Sequence, residues 1–141
     1  MLADDEPVVV DTNILFSTLL GRAGRILNTF FLSERRFVIG ETALVELFEH
    51  KEKILKSSKL TPDEVAGMYH RMLRRIEIYK EDLISVEHWE RAAELCGGID
   101  ADDVPHIALT LALGGRLWTG DGVLRRGLEA RGFSRFFSPE T

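Results

Sequence analysis

The chain has 141 residues, 45% hydrophobic and 29% charged, the profile of a globular protein of one domain with enough apolar surface for a conventional core. Its formal net charge of -5, from 18 basic and 23 acidic side chains, argues against broad electrostatic binding to nucleic acid, although clustered metal-holding carboxylates pull the balance the same way. Cys96 has no partner for a disulfide and cannot build a zinc site alone; the acidic start Met1 to Glu6 lacks a secretory pattern, and no apolar run approaches the roughly 18 residues of a membrane span, so a cytoplasmic location away from membranes is expected.

In chain order, Val8-Val9-Val10 is continuous and β-branched, the pattern of a strand buried on both faces. It runs into Asp11-Thr12-Asn13, a turn and helix cap. Helical segments are expected over 13–20 and 22–33, with Gly21 and Gly24 bending the path. Arg36 to Ile39 reads as a second strand ending at Gly40. Residues 41–56 follow as one helix with Leu44, Leu47, Phe48, Ile54 and Leu55 on its apolar face. Thr61-Pro62-Asp63-Glu64 matches a capping box and opens a helix to about residue 77, in which Met68 and Met72 fill core.

A brief extended piece is expected over 83–86, then a helix over 87–96 stopped by Gly97-Gly98. Asp102 or Asp103 caps a helix to about residue 113, with Pro105 tolerated in its first turn. Gly114-Gly115 ends it before a strand over 116–118, a last helix over 122–131 and a final strand from Phe133 to Phe137. Strands alternating with helices imply a parallel sheet covered on both faces.

Two strands in this reading deliver a carboxylate at their carboxyl ends, Asp11 after Val10 and Asp121 after Trp118-Thr119-Gly120. In an open parallel sheet that edge is where ligands bind. Capping explains each of these acids alone, yet one oxygen can cap while the other faces an ion. Thr119 is placed to hold Asp121 or a metal-bound water through its hydroxyl. Asp100, Asp102 and Asp103 crowd the start of another helix; Asp103 lies one residue before the stripe Val104, Ile107, Ala108, Leu111, at the edge of the buried face. Asp103 is therefore favoured as a ligand, with Asp100 further out. Periodicity places Glu46 off the apolar stripe of its helix, as a surface residue. Converging carboxylates repel unless a proton or cation is shared, and oxygen-only donors suit Mg2+ or Mn2+.

Other chemistries find less support. His50, His70, His88 and His106 are scattered and read as surface or partly packed residues. There is no nucleophile elbow, P-loop or G-x-G-x-x-G. Asn13 occupies the second place of a phosphatase Asp-x-Asp, and no lysine follows Lys80 to serve a phospho-receiver. Arg22, Arg25, Arg125 and Arg126 flank strand ends, where they can reach backbone phosphates.

Four segments in order resemble a PIN domain: Val8-Val9-Val10-Asp11-Thr12-Asn13, Ala43-Leu44-Val45-Glu46-Leu47, Asp100 to Leu109, and Leu117-Trp118-Thr119-Gly120-Asp121. The resemblance implies a three-layer α/β/α sandwich with a central parallel sheet of four or five strands. It implies a metal-dependent endoribonuclease whose ligands are Asp11, Glu46, Asp103 and Asp121, around Mg2+ or Mn2+. It lifts Glu46 above the surface role, and Asp102 replaces Asp103 if the register slips by one. Asn13, Thr119, Asp100, Asp102 and Arg125 are expected around the ligands or against substrate. Many single-domain relatives are homodimeric toxins of toxin–antitoxin pairs, silenced by an antitoxin protein that fills the acidic cleft. A non-catalytic module that binds RNA or a protein partner is the alternative.

Overall fold

The computed structural model describes residues 6–21 and 24–139. Four strands form one parallel sheet: β1 (Val8–Val10), β2 (Phe37–Gly40), β3 (Ile76–Tyr79) and β4 (Arg116–Trp118), in the order β3-β2-β1-β4. Val8 stands opposite both Phe37 and Arg116, so β1 lies in the middle with both edges paired. A three-residue strand supplies few hydrogen bonds of its own. Its complete burial, all three valines at 0% exposure, holds it in register.

The two faces of the sheet nucleate two cores, because successive side chains of a strand point to opposite sides. Val8, Val10, Phe37, Ile39 and Trp118 pack under α1 (Thr12–Leu19), α2 (Gly24–Leu32), α3 (Glu41–Glu49), α4 (Lys51–Ser57) and α5 (Pro62–Arg75). Val9, Val38 and Leu117 pack under α6 (Val86–Cys96), α7 (Val104–Leu113) and α8 (Gly122–Ala130). The first core has an aromatic centre: the rings of Phe30, Phe37, Trp118 and Phe137 meet at centroid distances of 5.1–6.3 Å. Met72 is fully buried and Met68 partly, as the sequence predicts.

Five departures from the sequence reading have physical causes. The helix expected over 41–56 kinks at His50, whose Nδ1 donates to the Glu46 carbonyl at 2.8 Å. The kink rotates the apolar stripe, so Leu47 and Ile54 are buried while Phe48, capped by the Lys51 ammonium, and Leu55 face outward. Helix α5 gives way to β3 at Ile76 without a loop, and β3 pairs with β2 from Phe37↔Ile76 to Gly40↔Tyr79. The extended piece is therefore at 76–79, and residues 81–83 form a 3-10 turn ahead of α6. Residues 133–137 make only a bridge to β4, Leu117↔Phe136, although Phe137 N–H reaches the Leu117 carbonyl at 2.8 Å and screens that edge.

Two local devices bear on the site. Gly40 offers no side chain to cap α3, and Glu81 does so instead: its carboxylate accepts the Thr42 N–H at 3.2 Å and the Thr42 hydroxyl at 2.7 Å. A Cβ at residue 40 would meet that carboxylate, which would have to move away from the Thr42 cap. Gly114 ends α7 in the left-handed region at φ 60°, which turns the chain into β4.

Candidate metal centre

Helix α1, after β1, covers one face of the sheet, and α8, after β4, covers the other. The connections leaving these adjacent strands diverge, opening a crevice at their carboxyl ends, the switch point at which open α/β sheets bind ligands. Asp11 enters it directly from β1. Its N–H donates to the Trp118 carbonyl at 2.9 Å, extending the pairing with β4 by one residue. Asp11 is only 2% exposed, and its carboxylate is shared between two donors. Oδ1 accepts the Asn13 N–H at 3.3 Å, capping α1, and Oδ2 accepts the Thr119 hydroxyl at 2.7 Å.

Thr119 also accepts the Asp121 N–H at 3.1 Å. One hydroxyl thereby aligns Asp11 and the turn that carries Asp121. Asp121 Oδ1 caps α8 through the Val123 and Leu124 N–H groups, at 3.0 and 3.1 Å. Its Oδ2 has no hydrogen bond among the described residues.

Asp103 occupies the N-cap position of α7, without a side-chain cap hydrogen bond, and Asp100 caps the 3-10 turn Ala101–Asp103 that precedes it: its Oδ1 accepts the Asp102 N–H at 2.9 Å. Asp102 is exposed, whereas Asp103 is 8% exposed and its carboxyl has no hydrogen bond among the described residues. Burial, reinforced by the charges of Asp11, Asp100 and Asp121 and only partly offset by His106, pushes the Asp103 carboxyl up to about 7.

His106, read from the sequence as an ordinary histidine, is 3% exposed and stands beside these acids. Its Nε2 lies 3.2 Å from Thr12 Oγ1 and 3.5 Å from Glu46 Oε1. Thr12 donates its only hydroxyl proton to Glu46 Oε1 at 3.0 Å. It can therefore only accept from His106, so Nε2 carries a proton and a directed chain runs from His106 through Thr12 to Glu46. Burial opposes a charged ring, but the Glu46 hydrogen bond and the charges of Asp11, Glu46 and Asp103 hold its pKa above the ordinary histidine value. Burial would raise Glu46; the His106 bond and charge, the Thr12 hydroxyl and the His50 charge outweigh it and hold the carboxyl below its usual range. Glu46 follows the buried Ala43 by three residues on α3, and Thr12 and His106 hold its carboxylate at the site despite its place off the predicted apolar stripe.

Asp11, Asp103 and His106 each bring a possible ligand atom to within 4.8 Å of the others. The two carboxylates fit a hard divalent cation. With Nε2 protonated, the imidazole can meet such an ion only through Nδ1; doubly protonated, it is a counter-charge and orienting group. Asp121 and Glu46 stand outside this tight group, although the Asp121 charge is felt at Asp103. Asn13 is exposed and touches the site through its backbone N–H. Arg125 is engaged elsewhere, 3.3 Å from Ser138 Oγ and stacked 4.7 Å over the Phe136 ring. Arg25 and Arg126 are exposed, and Arg22 lies outside the described residues.

Residues 9–136 match the family model of the PIN domain. The chain belongs to the PIN-domain family. Among the solved structures that share its fold are two VapBC complexes. One is VapBC2 from Rickettsia felis bound to a DNA fragment from its promoter, at 17% identity and a TM-score of 0.67, over 85% of this chain and 92% of that one. The other is DNA-bound VapBC from Salmonella typhimurium, at 22% identity and 0.66, over 88% and 91%. Among curated protein sequences nothing matches. The PIN assignment agrees with the four-stranded parallel sheet and the two helical layers. Among the described residues, no helix is long and apolar enough to cross a membrane.

Proposed function

We propose that this PIN-domain protein is a Mg2+- or Mn2+-dependent endoribonuclease, the toxin of a toxin–antitoxin pair. The observation that carries the reading is the buried meeting of Asp11 and Asp103 at the switch point, with the Asp103 carboxyl pushed up to about 7. Two buried carboxylates this close are costly unless positive charge joins them. His106 supplies only part of that charge.

In this reading Asp11 and Asp103 hold the cation, and Asp121 adds charge through the oxygen that its cap leaves open. A bound divalent ion supplies an activated water and charge stabilisation for phosphodiester hydrolysis. Thr119 keeps Asp11 aimed by holding Oδ2. Glu46, oriented by Thr12 and His106, positions the attacking water. The VapBC neighbours support a protein antitoxin as partner. Calorimetric titration with Mn2+, run beside cleavage of a mixed RNA pool, tests the reading. Wild type is expected to take up metal and cleave, and an Asp11→Asn/Asp103→Asn variant to do neither while remaining folded. Full activity in that variant, or no metal uptake by wild type, refutes it.

A further inference from the structure

A groove of about 470 Å³ runs between α1 and α4. It adjoins the acidic crevice at two points. Asn13 lines it while its backbone N–H holds Asp11, and His50 lines it while its Nδ1 holds the Glu46 carbonyl. The groove differs from the crevice in charge. No carboxylate lines it, whereas two further cavities among the described residues carry Glu34 and Asp100.

Its polar wall has unused donors. Lys53 makes no hydrogen bond or ion pair among the described residues, and neither does the Asn13 side-chain amide. With Nδ1 engaged, His50 keeps Nε2 for a ligand. Its apolar wall has Ile54, Leu20 and Phe16, and the Phe16 ring meets His50 edge-on at 5.5 Å and 72°. Cationic and amide donors beside an aromatic surface are what a nucleotide requires: its phosphate takes the donors and its base takes the ring. The volume lies in the range of small-ligand pockets.

We infer that this groove is a subsite for one nucleotide of single-stranded RNA next to the scissile bond, with Lys53 and Asn13 on its phosphate and Phe16 and His50 against its base. This rests on the nuclease reading, because the acidic crevice is taken as the place of cleavage. It explains how a chain of net charge -5 can hold a polyanion: the groove meets one phosphate with Lys53 and has no carboxylate in its lining.

The test is fluorescence anisotropy of a labelled oligouridylate in EDTA across a salt series, with photocrosslinking of the same RNA carrying 5-iodouridine. Lys53→Ala should weaken binding about three- to tenfold and flatten the salt slope by about 0.7, while Lys53→Arg restores both. Crosslinks should fall on Phe16 or His50. Lys53 is exposed, so unchanged circular dichroism is expected and a folding defect does not intervene. Wild-type affinity and slope in Lys53→Ala, with crosslinks outside the groove, overturn the subsite and leave the groove to a protein segment. No RNA binding by wild type at low salt overturns it as well. Cleavage is scored separately with Mn2+. Loss of cleavage in Asp11→Asn/Asp103→Asn with no Lys53 effect removes the subsite alone. A Lys53 effect without any cleavage by wild type removes the nuclease reading and the placement beside a scissile bond, and leaves the groove as an RNA-binding site.

Discussion

Replacing Asp103 by Asn should stabilise the metal-free protein, the reverse of what loss of a buried polar group usually does. The Asp103 carboxyl accepts no hydrogen bond among the described residues and rises from 3.8 to about 7 through burial and the neighbouring Asp11 charge. A group raised on folding contributes stability that is complete below its unfolded value and disappears as pH climbs through the folded one. The rise corresponds to about 4 kcal/mol lost by pH 8, and local relaxation and entering water reduce this to about 2–3 kcal/mol. His106, also raised, loses stability in the same direction above its folded pKa. Asn keeps the size of Asp103 and removes the charge. Urea and thermal unfolding in EDTA should therefore show Asp103→Asn more stable than wild type at pH 8, by roughly 5–10 °C in Tm, with the gap narrowing toward pH 5. Added Mn2+ should raise wild type and leave the variant unmoved. A metal-free Asp103→Asn protein less stable than wild type at pH 8 would show that the two carboxylates do not repel as argued.

Further outcomes follow from single contacts. Thr119→Val removes the hydroxyl from Asp11 Oδ2 and from the Asp121 N–H; it should cost about 1–3 kcal/mol and weaken Mn2+ binding about 10- to 100-fold by calorimetry, with Thr119→Ser close to wild type. Asp121→Ala should cost about 1 kcal/mol through loss of the α8 cap, whereas Asp121→Asn keeps the cap in thermal unfolding and loses metal-dependent cleavage. His106→Gln takes the imidazole from Glu46, whose carboxyl pKa should rise toward or above its ordinary value in a carbon-13 NMR titration while cleavage falls. Cys96, buried and pushed up to about 11 by burial and the Asp103 and Asp100 charges, should resist a thiol reagent at pH 8 until the protein is unfolded.

Much of this protein is legible in one dimension because its signals are local. The valine run before Asp11, the capping box at Thr61 and the glycine pair after Leu113 each impose their structure within a few residues. Alternation of such segments then permits little besides a parallel sheet with helices on both faces. The carboxylates after β1 and β4 were visible for the same reason, since a polar group directly after a buried strand stands at the ligand-binding edge.

Folding in three dimensions settled what depends on neighbours distant in the chain. Glu46 faces the crevice because Thr12 and His106 hold the carboxylate, 34 and 60 positions away. A lone imidazole in the otherwise apolar run of α7 was the signal for His106, but its partners come from α1 and α3, which no spacing within 104–113 records. Asp103 and Asp102 were separated by burial, which follows from packing of residues 101–103 against α6. β3 escaped notice because its alternating residues follow a strong helix without a break, and pairing with β2 outweighs local propensity. Short-range preference determines which elements form; burial and charge among distant residues determine which of their side chains meet.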